Sequence, residues 1–225
     1  MLPEAILFDF DGTLVDTEWS IYSAWLRTYE RFGQDLPIEV YVQCIGSDFN
    51  TWSPQTHLEE LTERSLDWPA MDAERQIEIE AELKEQGPVE GVRELLESLQ
   101  GKTRLAVVSS SSHQWVDGWL ERLGLIHYFE NITCRGDAPR IKPAPDLYLA
   151  CAQSLAVDPS ECVVIEDSLN GVRSAKSAGM TAYAIPNRIT TVSDFNEADA
   201  VYETINDLGH ALFLNKNCIS QPLSE

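Results

Sequence analysis

The chain has 225 residues, 44% of them hydrophobic and 24% charged, enough apolar material for one globular core with a smaller insertion and too much for an intrinsically disordered chain. Its 16 Lys and Arg are set against 37 Asp and Glu, a net charge of −21. That field repels nucleic-acid phosphates and anionic lipid surfaces, so neither is an expected partner, although a metal or a single Lys can reverse the sign within one pocket.

In chain order, residues 5–8 form a short, wholly apolar run that ends in Asp9-Phe10-Asp11-Gly12, the signature of a strand buried on both faces of a parallel sheet. Residues 17–87 then carry helical patterns only, over 19–32, 37–45, 56–66 and 69–84. From residue 88 the pattern changes to helices alternating with strands. Helices are predicted over 89–99, 114–123, 145–155 and 170–178, and strands over 105–108, 132–134, 162–165, 181–185 and 200–202. This alternation predicts an α/β fold, a doubly wound, Rossmann-like parallel sheet with an all-α cap inserted after the first strand. The expected organisation is a core of 1–16 plus 88–214, a cap of 17–87 and a polar tail of 215–225.

No apolar run approaches the roughly 20 residues of a membrane span, and the first strand follows Met1 too closely for a basic-then-apolar leader. The five cysteines, Cys44, Cys134, Cys151, Cys162 and Cys218, are scattered and form no CxxC pair. They read as reduced thiols of a cytoplasmic protein, expected to act as a monomer. His57, His113, His127 and His210 show no ligand spacing, so no histidine-based metal site is expected.

Three strand ends carry the chemistry. The first supplies Asp9 and Asp11, the second Ser109, followed by Ser110, Ser111 and Ser112, and the fourth Glu166 and Asp167. Lys142 sits in the Pro-rich loop ahead of the helix at 145–155. In a parallel sheet these ends share one edge, where so many carboxylates repel one another unless a hard cation neutralises them. Mg²⁺ suits a few carboxylate oxygens and a phosphate, and Lys142 with a Ser hydroxyl would complete a phosphoryl cradle. Each feature alone has a plainer reading as a turn, a helix cap or a solvated charge. Together and in this order they point to phosphoryl transfer.

DFDGTLVDTE at 9–18, VVSSS at 107–111, KPAPD at 142–146 and VVIEDSLNGV at 163–172 resemble the four motifs of the haloacid dehalogenase (HAD) superfamily, most closely its β-phosphoglucomutase-like branch of helical-cap phosphatases. The resemblance implies a phosphatase acting on a small phosphorylated metabolite such as a sugar phosphate, with Mg²⁺ as cofactor and an aspartyl-phosphate intermediate. It implies Asp9 as nucleophile and metal ligand, and Asp11 as general acid/base that gives the metal its backbone carbonyl. Ser109 and Ser110 would hold the phosphate, Lys142 would bridge nucleophile and phosphate, and Asp167 would bind Mg²⁺ with Glu166 secondary. Thr17 and Trp19, just beyond the first motif, and Ser47 and Asn50, in the cap loop expected to face the site, are candidates to meet the substrate.

Within the resemblance a dehalogenase would need neither Asp11 nor a metal, and a phosphonatase would need a cap lysine other than Lys84. A phospho-receiver module would lack the cap. A sugar-phosphate mutase is the main alternative. It must hold a second phosphate, yet residues 17–87 carry five basic against fifteen acidic side chains, and the 45–52 loop has no Arg or Lys. The expected activity is therefore hydrolysis.

Overall fold

The computed structural model describes residues 2–46 and 52–214. Ser47 and Asn50 lie outside the described residues. Six parallel strands form one sheet in the order β3-β2-β1-β4-β5-β6. They are β1 (Ala5–Phe8), β2 (Arg104–Val108), β3 (Asn131–Thr133), β4 (Cys162–Glu166), β5 (Thr181–Ala184) and β6 (Ala200–Val201).

The helices are α1 (Glu18–Glu30), α2 (Ile38–Tyr41), α3 (Pro54–Thr62), α4 (Trp68–Leu83), α5 (Val92–Leu99), α6 (His113–Arg122), α7 (Asp146–Leu155), α8 (Leu169–Ser177) and α9 (Ile205–Leu214). The strands' two-residue period assigns their side chains to two separate cores. Ile6, Phe8, Leu105, Val107, Val163 and Ile165 face one layer, built by α5, α6 and α9. Ala5, Leu7, Ala106, Val108, Cys162 and Val164 face the other, built by α7 and α8. Both faces are covered, so the central strands are apolar throughout, as expected of a doubly wound sheet.

Every described element between β1 and α5 is helical. These helices share a third cluster of Tyr22, Trp25, Tyr29, Leu36, Tyr41 and Leu58, into which Ile189 from the loop after β5 also inserts. The helix expected over 37–45 is shorter: α2 stops at Tyr41 and continues as a 3₁₀ turn, Val42–Cys44. The helix expected over 56–66 starts at Pro54 and ends where Glu63 turns left-handed at φ 53°. Glu59 closes the following turn by accepting from the Leu66 backbone N–H at 2.8 Å and from Trp68 Nε1 at 3.0 Å. Helix α9, absent from the sequence expectation, buries Ile205, Leu208 and Leu212 against the α5 layer. Among the described residues no helix is long and apolar enough to cross a membrane.

Candidate active site

Strand β1 leaves the sheet at Asp9, whose N–H still donates to the Ile165 carbonyl at 2.9 Å. The chain then folds into a tight loop, with the Leu14 N–H reaching back to Phe10 O at 2.9 Å and the Gly12 N–H to Val15 O at 2.7 Å. Gly12 has φ 85°, and a Cβ there would stand 2.2 Å from Asp167 Oδ2. Only glycine permits both the turn and this approach of the β1 and β4 ends.

Lys142 is fully buried, and its ammonium uses all three protons on protein acceptors: an Asp9 carboxylate oxygen, Glu166 Oε1 at 2.6 Å and the Val108 carbonyl at 2.8 Å. Glu166 is saturated in turn. Its Oε1 also accepts from the Tyr148 hydroxyl at 2.7 Å, and Oε2 accepts from the Ser168 N–H and hydroxyl at 3.2 and 3.0 Å. Helix α8 comes so close that a Cβ on Gly171 would fall 1.8 Å from Glu166 Oε1.

Carboxylate oxygens of Asp9, Glu166 and Asp167 lie within 4.8 Å of one another, all on buried residues. One ammonium cannot balance three carboxylates. Burial, helped by Glu166 and Asp11 against the pull of Lys142, pushes Asp9 up to about 8. Burial and the charges of Asp9 and Glu166 hold Asp167 well above the usual carboxylate range. Burial alone would lower Lys142, but Asp9 and Glu166 raise it and keep it protonated. Burial and mutual repulsion thus both favour the protonated forms of Asp9 and Asp167 when no cation is bound. An all-oxygen donor set with surplus negative charge fits a hard divalent ion.

Asp11 lies beside this set with its carboxylate turned toward α6. Oδ1 accepts from the Thr17 hydroxyl at 2.7 Å and Trp115 Nε1 at 2.8 Å, and Oδ2 accepts from the Ser111 hydroxyl at 2.6 Å. Thr17, a candidate to meet the substrate, is buried, and its hydroxyl donates to Asp11. Ser109 is buried at the end of β2, and its Oγ accepts the Ser111 N–H at 3.0 Å. The Ser110 hydroxyl donates to Gly46 O at 3.2 Å, and Asn170 Nδ2 donates to Ile45 O at 2.8 Å, so the helical segment docks on the loops after β2 and β4. Trp19 is half-buried with the Arg188 guanidinium stacked 3.9 Å from its ring.

Glu18, Tyr148, Ser111, Trp115 and Asn187 also reach the site, although none of them is a site residue expected from the sequence. Glu18 is buried, and burial with the charges of Asp11, Asp9 and Asp16 holds its carboxyl well above the usual range. Asn187 Nδ2 donates to Asp167 Oδ2 at 2.7 Å, while its Oδ1 accepts the Ile189 and Thr190 N–H groups at 2.9 and 3.1 Å. Asn187 follows the end of β5, so the rule that flagged the other strand ends would have found it. Trp115 was hidden because its spacing within α6 matches a core stripe.

A family model described as Haloacid dehalogenase-like hydrolase matches residues 6–185. Fructose-1-phosphate phosphatase YqaB of Escherichia coli is 32% identical over 177 residues, covering 79% of this chain and 93% of that protein. The Phosphorylated carbohydrates phosphatase of Thermotoga maritima is 31% identical over 201 residues, covering 88% and 92% respectively. A solved structure of a CbbY mutant from Rhodobacter sphaeroides, in complex with xylulose-(1,5)bisphosphate, superposes with a TM-score of 0.72 at 26% identity, covering 92% of this chain and 97% of that one.

Proposed function

The chain belongs to the haloacid dehalogenase-like hydrolases and is a phosphatase; from that premise we propose that it hydrolyses a small phosphorylated carbohydrate, with Mg²⁺, through a phosphoryl group carried on Asp9. The observation that carries this reading is the buried set of Asp9, Lys142, Glu166 and Asp167 at the ends of adjacent strands. The named substrates of the relatives support the carbohydrate, and the docked helical segment supports a leaving group enclosed beneath residues 17–87.

In this reading an Asp9 oxygen attacks phosphorus as the bond to the sugar oxygen breaks, and Asp11 gives that oxygen its proton. Water then attacks the phosphoryl group, Asp11 takes the water's proton, and the Asp9–phosphate bond breaks to free inorganic phosphate. Asp9 and Asp167 would hold Mg²⁺, which when bound neutralises charge on the transferred phosphoryl group. Lys142 holds Asp9 in line and cancels part of its charge, and Glu166, fixed by Tyr148 and Ser168, orients Lys142. Ser109 donates to a phosphoryl oxygen. Thr17, Ser111 and Trp115 determine where Asp11 waits between proton transfers. Inorganic phosphate release across a panel of sugar phosphates, fructose 1-phosphate included, tests the substrate class: turnover that needs Mg²⁺ and stops with EDTA supports it, and equal activity in EDTA contradicts it.

The same chemistry in a mutase would need a cation for a second phosphate. Among the described residues of the helical segment, Arg27 pairs with Glu78 and Glu82 at 2.8 Å each and Arg31 with Glu74 at 2.9 Å. Arg75 pairs with Asp72 and lies 3.5 Å from the Trp25 ring, and the remaining two, Arg64 and Lys84, are exposed at or just beyond the C-terminal ends of α3 and α4. Incubation with β-glucose 1-phosphate and a trace of the 1,6-bisphosphate is therefore expected to release inorganic phosphate faster than glucose 6-phosphate accumulates. The opposite order would establish a mutase.

Two expectations concern the cation. Asn187 has its amide orientation fixed by three bonds from residues 189 and 190, one of them the Thr190 hydroxyl at 3.3 Å, and so presents N–H to Asp167. It is a positioning residue for a metal-binding carboxylate. Asn187→Ala is expected to weaken Mg²⁺ binding about 10–100-fold in a calorimetric titration, and unchanged affinity would remove that role.

The second follows from proton linkage. Asp9 and Asp167 are raised from an ordinary value of 3.8, so the metal-free fold keeps protons that the unfolded chain releases. Its stability from these groups is present at acid pH and is lost as pH rises toward about 8. Mg²⁺ replaces those protons. The rise in melting temperature that it causes should therefore be larger at pH 8 than at pH 5, and an equal or smaller rise at pH 8 would contradict the assignment of these carboxylates as its ligands.

A further inference from the structure

Cys134, in the turn after β3, is fully buried beside the first turn of α6. His113 opens α6 and Asp117 lies one helical turn on, on the same face. The His113 ring stands between two carboxylates: Nδ1 is 3.1 Å from Asp117 Oδ2, and Nε2 is 2.8 Å from Asp137 Oδ2. The Cys134 backbone N–H fixes Asp137 by donating to Oδ2 at 2.8 Å. Ligand atoms of His113, Asp117 and Cys134 all come within 4.8 Å of one another. The expectation of no histidine-based site was drawn from linear spacing, whereas this group forms across two elements, HxxxD on α6 facing CxxD in the turn after β3.

We propose that His113 Nδ1, an Asp117 carboxylate oxygen and the Cys134 sulfur form a second cation site, separate from the phosphoryl site and selective for a borderline ion such as Zn²⁺ over Mg²⁺. The mixed nitrogen, oxygen and sulfur donors suit zinc, and three protein ligands leave a fourth position for water. Asp137 is the supporting observation. A histidine that ligates through one nitrogen commonly gives its other N–H to a carboxylate, which orients the ring, and Asp137 holds Nε2 in that way while Nδ1 faces Asp117. Without an ion, burial together with Asp117 and Asp137 pushes the Cys134 thiol up to about 12. A divalent cation reverses that balance: the thiol proton and the Nδ1 proton leave, and the metal takes both positions. The loaded site would tie the start of α6, and with it the loop carrying Ser109 to Ser112, to the turn after β3.

Co²⁺ is the probe, added to the full chain with Mg²⁺ in excess so that the all-oxygen site is occupied. The expected result is a near-ultraviolet thiolate-to-cobalt charge-transfer band that saturates at one Co²⁺ per chain and is abolished by an equivalent of Zn²⁺. Cys134→Ser should remove the band. His113→Ala, at the surface, should leave the fold and the phosphatase activity intact while weakening Co²⁺ binding at least about 10-fold. No band, or a band unchanged in either variant, overturns the proposal and leaves His113 as a proton-bearing clamp between Asp117 and Asp137.

Discussion

Asp9→Asn is expected to lower turnover of sugar phosphates by about 10³-fold or more, equivalent to about 4 kcal/mol of transition-state stabilisation, because the amide cannot form the phosphoryl bond. Failure to fold would not explain the loss. Asn keeps the shape of the side chain and an oxygen to which Lys142 can still donate, so the variant is expected to fold. The melting temperature of the variant in EDTA should match or exceed that of the parent. Retention of most of the activity with sugar phosphates would assign the nucleophile elsewhere.

Lys142→Met is expected to cost about 3 kcal/mol of folding stability near neutral pH, since removing one member of a buried ion pair leaves the others without compensation. Lys142 is enclosed, and both Asp9 and Glu166 depend on it. The sign follows from linkage: its pKa is raised in the fold, so its contribution is fully present below its ordinary value of 10.5 and is lost only in strong alkali. Pairing Lys142→Met with Glu166→Gln should recover part of the stability, because the orphaned charge is then gone. Urea unfolding measures both variants. A loss below about 1 kcal/mol for Lys142→Met would mean that the ammonium is not needed to hold these carboxylates in the fold.

The sheet was legible because its central strands are buried on both faces. Residues 5–8, 105–108 and 162–165 are unbroken apolar runs ending in polar side chains, and in the structure these strands are adjacent and parallel, so their abrupt ends share one edge. Edge strand β6 and helix α9 gave weaker signals, since α9 is short and close to the polar tail. The motif residues could be found because strand ends in a parallel sheet must converge. What remained hidden was their support. Tyr148, Trp115 and Asn187 act by pointing one polar atom at Glu166, Asp11 and Asp167, and no periodicity distinguishes such a residue from ordinary packing. Thr17, singled out for its place beside the first motif, directs its hydroxyl at Asp11. The His113, Asp117 and Cys134 group was invisible for a further reason, because its members meet only through the pairing of β2 with β3.

Reduction of the quenched enzyme during turnover tests the central claim most directly. An aspartyl phosphate is an acyl phosphate, which borohydride reduces to homoserine, whereas a free carboxylate does not react. Mixing enzyme, Mg²⁺ and sugar phosphate, quenching with borohydride and mapping the peptides by mass spectrometry should convert Asp9 to homoserine, only when substrate is present. Conversion at another residue, or an unmodified Asp9 peptide while substrate is being consumed, would contradict the account.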